Sequence, residues 1–332
     1  MTKTDRKRPK ANPRATARRS LVILISCALL MLPALATGCG GSALPGAGKA
    51  QTASSPVNTP VPPANAHEKL SGLCFSPFTK DTPSSGASIT PPFVSGLLDI
   101  IVPYAGAIRT FGSGGIGAST AVMAKAKGLG VAAGCDIESD PAQNEKDVND
   151  LLSLARSGDV DLAVVGEETQ YFHYVSEAQL IDYMLRVKAT GTPVTTSETW
   201  GELINHPSIL AQCDVVMANM FPYWENVNIK DSVRYLNTCY QKVKEASKGK
   251  EVLVETGWPT EGETKGAAVA NPANARWFLV NFTAWARQHH VRYYYFEAFD
   301  EPWKVTHEGV VGGHWGLWDQ YGQLKPVMQG AL

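Results

Sequence analysis

The chain has 332 residues, with 30 Lys+Arg and 31 Asp+Glu for a net charge of −1. The charge is unevenly spread: residues 1–19 hold eight basic side chains and one acid, Asp5. The rest carries 22 Lys+Arg against 30 Asp+Glu, about −8, which argues against nucleic acid or anionic lipid as a partner and permits a neutral polymer.

In chain order, an uncharged, Leu- and Ile-rich stretch runs from Ser20 to Gly38. It is short for a bilayer span and is flanked by positive charge on one side only, so residues 1–38 read as a signal peptide. The stretch ends in Leu35-Ala36-Thr37-Gly38-Cys39, which looks like a bacterial lipobox with Cys39 as the lipidated residue. The expectation is an exported cell-envelope lipoprotein that touches the membrane through its anchor alone. Residues 39–68 are dominated by Gly, Ala, Ser, Thr and Pro and have no aromatic side chain. Such a segment cannot bury enough apolar surface to fold, and it reads as a disordered linker. Residues 69–332 suit one large domain. Its cysteines, Cys74, Cys135, Cys213 and Cys239, show no C-x-x-C or metal-like spacing. Buried thiols or one local bridge are therefore expected rather than a disulfide framework.

Within the domain, short apolar or β-branched runs predict strands over 72–76, 106–111, 130–134, 161–166, 193–198, 214–220, 251–255 and 291–298. Helical patterns separate them near 93–101, 117–128, 141–156, 176–189, 201–210, 231–247 and 272–288. Pro141 and Pro272 fall early in their stretches, where a proline is tolerated. Strands that alternate with helices and are apolar on both faces imply a parallel sheet covered by helices. Eight such units over this length predict closure into a (β/α)8 TIM barrel.

In such a barrel, reactive side chains sit where strands end. Polar residues fall there: Arg109 and Thr110, Asp136, Glu167 and Glu168, Glu198, Asn219, Glu255 and Glu297. Carboxylates on apolar strands are costly to bury without a partner or a task, and several converging on one rim point to a site. None of the seven histidines forms a metal-ligand motif such as H-E-x-x-H, so neither metal nor cofactor is expected. Glycoside hydrolysis needs only two carboxyls, one protonated and one ionised, and aromatic faces for the sugar rings. Phe221, Tyr223, Trp224, Trp258, Trp303, Trp315 and Trp318 all lie in predicted loops or strand ends.

Four stretches carry a resemblance: Val165-Gly166-Glu167-Glu168-Thr169, Phe221-Pro222-Tyr223, Glu255-Thr256-Gly257-Trp258-Pro259 and Phe296-Glu297-Ala298-Phe299-Asp300-Glu301-Pro302-Trp303-Lys304. In this order they resemble glycoside hydrolase family 17, and the similarity runs from Gly72 to Leu317. The resemblance implies a β-1,3-glucan or mixed-linkage β-glucan substrate, cleaved with retention or passed to another sugar by a glucanosyltransferase. It assigns Glu168 as acid/base and Glu255 as nucleophile, with Tyr223 and Trp258 as sugar platforms and Glu297 as a third site carboxylate. The alternative for Glu297 is a salt bridge with Lys304 or Arg109. One residue departs from the family, which usually has Asn where this chain has Glu167. That Asn would contact the sugar 2-hydroxyl, so Glu167 is expected to bind substrate and to press a like charge on Glu168. Alternation along a strand predicts that only one of Glu167 and Glu168 faces the sugar. A monomer is expected.

Two rival readings stand beside this one. Gly112-Ser113-Gly114-Gly115-Ile116-Gly117, with Asp136 some twenty residues on, matches the wording of a dinucleotide fingerprint. It sits in the second unit rather than the first, and a glycine-rich loop that keeps the barrel mouth open explains it. A glucan-binding surface protein whose catalysis has lapsed is the non-enzymatic alternative, and the Glu167 departure keeps it in view.

Overall fold

The eight apolar runs pair as parallel strands in sequence order, and the last closes on the first. In the computed structural model, residues 69–86 and 88–332 are described. The signal peptide, Cys39 and the linker expected over 1–68 lie outside the described residues. The strands are β1 (Leu73–Cys74), β2 (Ala107–Thr110), β3 (Gly130–Cys135), β4 (Leu162–Glu167), β5 (Val194–Thr199), β6 (Val216–Asn219), β7 (Val252–Thr256) and β8 (Tyr293–Tyr295). They form a closed barrel in that order, with Leu73 of β1 opposite Tyr295 of β8. The (β/α)8 barrel predicted from the sequence is the fold.

Helices α1 (Pro91–Ile101), α2 (Ile116–Ala126), α3 (Pro141–Ser157), α4 (Glu177–Lys188), α5 (Trp200–Asn205), α6 (Pro207–Gln212), α7 (Ile229–Ala246) and α8 (Pro272–Gln288) connect successive strands, and a short α9 (Val305–Glu308) follows β8. Their starts are set locally. Asp140 accepts hydrogen bonds from the amides of Ala142 and Gln143, with Pro141 in the first turn, and Asn271 and Pro272 repeat the arrangement on α8. Ser176 and Gln179 form a reciprocal capping box on α4. Each cap satisfies amides that an α-helix leaves unpaired at its start.

Two elements differ from the sequence reading. The helix expected over 201–210 is split into α5 and α6, because Pro207 has no amide hydrogen and His206 leaves helical geometry at φ −117 and ψ 66. The strand expected over 291–298 is regular only over Tyr293–Tyr295. Beyond it the backbone turns its hydrogen bonds to the segment that follows the short helices: Leu317 N–H donates to Glu297 O at 3.0 Å and Trp318 N–H to Ala298 O at 2.9 Å. The four cysteines are buried and free, as the spacing argument expected.

The ends of β7 and β8 approach so closely that only glycine fits between them. A Cβ on Gly257 would lie 1.9 Å from the Phe296 carbonyl oxygen, and Phe296 N–H donates to Thr256 O at 2.8 Å, which prevents the strands from parting. Gly257→Ala should therefore destabilise the fold by about 1–3 kcal/mol through overpacking. Denaturant unfolding measures this; an unchanged midpoint would show that the β7–β8 junction can relax.

Candidate active site

Strand β4 does not alternate to its end. Val164 pairs with Thr195 but Glu167 with Ser197, so β4 has one residue more than β5 in this interval. That bulge re-aims the strand end. Gly166 and Glu168 both take positive φ, 85 and 48, and the Glu168 amide still donates to Ser197 O at 2.7 Å. As a result Glu167 and Glu168 turn to the same side. A single amide group, Asn219 Nδ2 at the end of β6, donates to Glu167 Oε1 at 2.8 Å and to Glu168 Oε1 at 3.0 Å. The expectation that only one of the two faces the mouth is overturned, because it assumed unbroken alternation and the bulge removes it.

Across the mouth, Arg109 from β2 joins Glu167 to Glu255. Its Nη2 contacts Glu167 Oε2, its Nε lies 3.3 Å from Glu255 Oε2, and its guanidinium carbon stands 3.8 Å from the centre of the Phe111 ring. Asn219 is itself oriented by Ser197, whose hydroxyl donates to Asn219 Oδ1 at 2.8 Å. Glu168, Glu255 and Arg109 are all buried, so their electrostatics are those of a low-dielectric site.

Burial, and next the adjacent Glu167 charge, hold the Glu168 carboxyl well above the usual carboxylate range. Burial also raises Glu255, to about 7, with Arg109 acting against the rise. Depth in the barrel thus opposes the charged form of Glu255, and the guanidinium beside it favours that form. Glu198 is raised to about 8, first by burial, and its Oε1 accepts from the Gln170 amide at 2.8 Å. That bond ties β5 to the loop after Glu168. The carboxyls of Glu168 and Glu255 are thus treated differently: Arg109 opposes the rise at Glu255, while the charge nearest Glu168 is that of Glu167, which adds to its rise.

A cavity of about 440 Å³ opens over the ends of β1, β2 and β3, lined by Phe78, Phe111, Asp136, Trp303 and the loop Gly112–Gly117; Glu167, Glu168 and Glu255 are not among its lining residues. This size suits a small ligand or a few sugar units. The glycine-rich run sits in the β2–α2 loop of a closed barrel and forms one wall of this cavity. A Cβ on Gly117 would meet Gly112 O at 2.2 Å, so the tight turn accounts for the motif.

The aromatic residues are placed differently from the sequence expectation. Tyr223 and Trp258 are buried, edge-on to one another with ring centres 5.7 Å apart. The Tyr223 hydroxyl donates to Glu263 O at 2.5 Å and Trp258 Nε1 to Val269 O at 3.0 Å. With Trp224 and Trp315 they form a packed cluster, and their burial leaves neither ring a free face on which a sugar could lie. Loop position alone did not reveal that these rings pack on one another. The partly exposed rings that line the cavity are Phe78, Phe111 and Trp303. Phe111 could have been found, since it directly follows the Arg109-Thr110 strand end.

Glu297 is buried against Lys304, whose Nζ lies 2.7 Å from Glu297 Oε2 and 2.5 Å from Glu301 Oε2. Of the two bridges considered for it, the one with Lys304 is present. Glu301 also accepts from Trp303 Nε1 at 3.1 Å and from the Ser76 hydroxyl, so this buried cluster reaches the cavity wall. Among the described residues, no group of three or more His, Cys, Asp or Glu is arranged to hold a metal ion.

The comparisons bear on this geometry. The chain is 27% identical over 246 residues to a glucan 1,3-beta-glucosidase of Arthroderma benhamiae, covering 66% of this chain and 79% of that protein. It is 29% identical over 239 residues to a probable glucan endo-1,3-beta-glucosidase of Aspergillus flavus, covering 61% of this chain but only 34% of that longer protein. The glycoside hydrolase family 17 beta-1,3-glucanosyltransferase of Rhizomucor miehei superposes with a TM-score of 0.70 at 26% identity, covering 78% of this chain and 96% of that one. Residues 72–316, from β1 to the segment paired beside β8, match the BtgE/BtgC glycoside hydrolase domain, and the chain with its buried glutamate pair belongs to that family of glycoside hydrolases.

Proposed function

We propose that this protein is a retaining β-glucan hydrolase that cleaves β-1,3-linkages with Glu255 as nucleophile and Glu168 as acid/base. The observation that carries the reading is the unequal treatment of the two carboxyls. Glu255 is paired with Arg109, whereas Glu168 has a neutral amide as its hydrogen-bond donor and a carboxylate as its neighbour. In the first step, a Glu255 oxygen bonds to the anomeric carbon, the bond to the leaving oxygen breaks, and Glu168 gives that oxygen its proton. In the second, Glu168 takes a proton from water, the water oxygen bonds to the anomeric carbon, and the ester to Glu255 breaks. Two inversions give net retention.

Tyr223, Trp258 and Glu297 then support the site from behind, and Phe78, Phe111 and Trp303 offer faces to the sugars. A second reading, transfer of the glycosyl group to a sugar hydroxyl in place of water, is favoured by the superposition on a beta-1,3-glucanosyltransferase. The same two glutamates would serve it. The lipobox-like stretch ending in Cys39 and the apolar run before it support export and lipid anchoring at the cell envelope, with 39–68 as tether.

Glu168→Gln should lower kcat on laminarin about 10²–10⁴-fold, and Glu255→Gln should stop formation of the glycosyl-enzyme. Reducing-sugar release and NMR of the first anomer measure both. Full activity in Glu255→Gln, or an inverted first product, would sink the assignment. The profile of kcat/KM against pH should rise through about pH 7 as Glu255 ionises and fall at higher pH as Glu168 loses its proton, with apparent values that belong to the pair. A flat profile between pH 5 and 9 would contradict it. Finally, Cys39→Ser should move the protein from the membrane fraction to the soluble one; unchanged retention on the membrane would remove the lipid anchor from the account.

A further inference from the structure

Glu167 occupies a place that the two-glutamate mechanism does not use, yet it touches a partner of each catalytic glutamate. Its Oε2 contacts Arg109 Nη2, and the same guanidinium reaches Glu255 through Nε at 3.3 Å. Its Oε1 accepts from Asn219 Nδ2 at 2.8 Å, and the same amide reaches Glu168 at 3.0 Å. A continuous chain of contacts thus runs Glu255–Arg109–Glu167–Asn219–Glu168. We infer that Glu167 is a positioning residue that sets the working pH of the site, by dividing the charge of Arg109 with Glu255 and the amide of Asn219 with Glu168. This inference rests on the roles given to Glu168 and Glu255 above.

The physical case follows from burial and charge. Arg109 is 1% exposed and the Glu167 side chain 9% exposed, so water screens their contacts little. One guanidinium cannot neutralise two carboxylates, and whatever it gives to Glu167 is withheld from Glu255. The carboxylate of Glu167 also lies on the amide that holds Glu168, and a like charge at that range favours the protonated form of its neighbour. After burial, the Glu167 charge is the largest cause raising both Glu168 and Glu255. Without that charge, Arg109 would serve Glu255 alone and both carboxyls would ionise more readily.

Other titratable groups surround Glu167 and are fixed in their own ways. Asp136 from β3, Glu198 from β5 and the Cys74 thiol from β1 all feel its charge. Each carries or can gain only negative charge, so none offsets it. On the β8 side, Lys304 is engaged with Glu297 and Glu301. Arg109 is therefore the cation through which Glu167 acts.

The test compares Glu167→Gln, Glu167→Asn and Glu167→Asp with the unmodified protein, reading kcat/KM on laminarin from pH 4 to 10. The two neutral variants should shift both limbs of the profile to lower pH by about one unit or more, while Glu167→Asp keeps them in place. A uniform loss of rate with unmoved limbs, or equal shifts in all three variants, would mean that the residue only packs and would overturn the inference. A second measurement needs no substrate. Carboxyls raised in the folded state stabilise the fold at low pH, and that stability is lost as pH rises through their folded values. Lowering the folded values in Glu167→Gln should make its Tm, relative to the unmodified protein, more favourable between pH 5 and 9. Parallel Tm curves would overturn the inference. If the unmodified protein cleaves no β-glucan, the proposed function fails, and the Tm comparison still decides this point.

Discussion

The barrel mouth is organised around a buried guanidinium. Arg109 enters the barrel from β2 almost wholly removed from water, and a charge in such a place persists only if it is paired. Its cation needs carboxylates within reach, and strands on the far side must bring them. β7 delivers Glu255 directly, at a regular strand position. β4 delivers Glu167 only by inserting an extra residue against β5, with positive φ at Gly166 and Glu168. The bulge therefore does two things at once: it gives Arg109 its second counter-ion, and it swings Glu168 onto the Asn219 amide.

A second buried cation divides the remaining carboxylates. Lys304 binds Glu297 and Glu301 and stands 4.6 Å from the centre of the Phe296 ring. Burial raises the Glu297 carboxyl while Lys304 acts against the rise, much as Arg109 does for Glu255. Four carboxylates thus have a cation each can share, whereas Glu168, like Glu198, has only amide donors. For the acid/base role proposed for Glu168 this lack of a cation is useful, since a counter-ion would favour loss of its proton. The chemistry of the pair lies less in the two glutamates, which are alike, than in where the two cations were placed.

Much of this was legible before any coordinates. Strand ends carrying Arg109, Glu167, Glu168, Asn219 and Glu255 could be read as one rim, because carboxylates on apolar strands demand a common explanation. Helix starts at Pro141 and Pro272 followed from local chemistry. What escaped was longer in range. The β4 bulge depends on how β5 pairs with it, which no pattern within β4 records. The fate of Tyr223 and Trp258 depends on Trp224, Trp315 and Phe278 of α8, which pack against them, so loop position promised platforms where packing made a layer. Glu297 could be read as a site group or as a bridge to Lys304, and only the turn of chain after β8 brings that lysine back to it.

The same packing explains why the mouth is uneven. On the β6–β8 side, Tyr223, Trp258, Trp315 and Phe296 are edge-on neighbours with little free volume. On the β1–β3 side a cavity stays open, with the glycine loop, Phe111 and Trp303 among its walls. The filled side is the one that carries Glu255, the nucleophile of the proposed mechanism. Glu255 is held there by its place in β7 and by Arg109, and fixed groups lose no free energy to reorganisation when charge develops on a substrate. The open side has the opposite requirement, since it must admit and release sugar units. Solid packing on one side of the mouth and spare volume on the other are joined at Arg109, whose Nε meets Glu255 and whose guanidinium carbon lies over the Phe111 ring of the cavity wall.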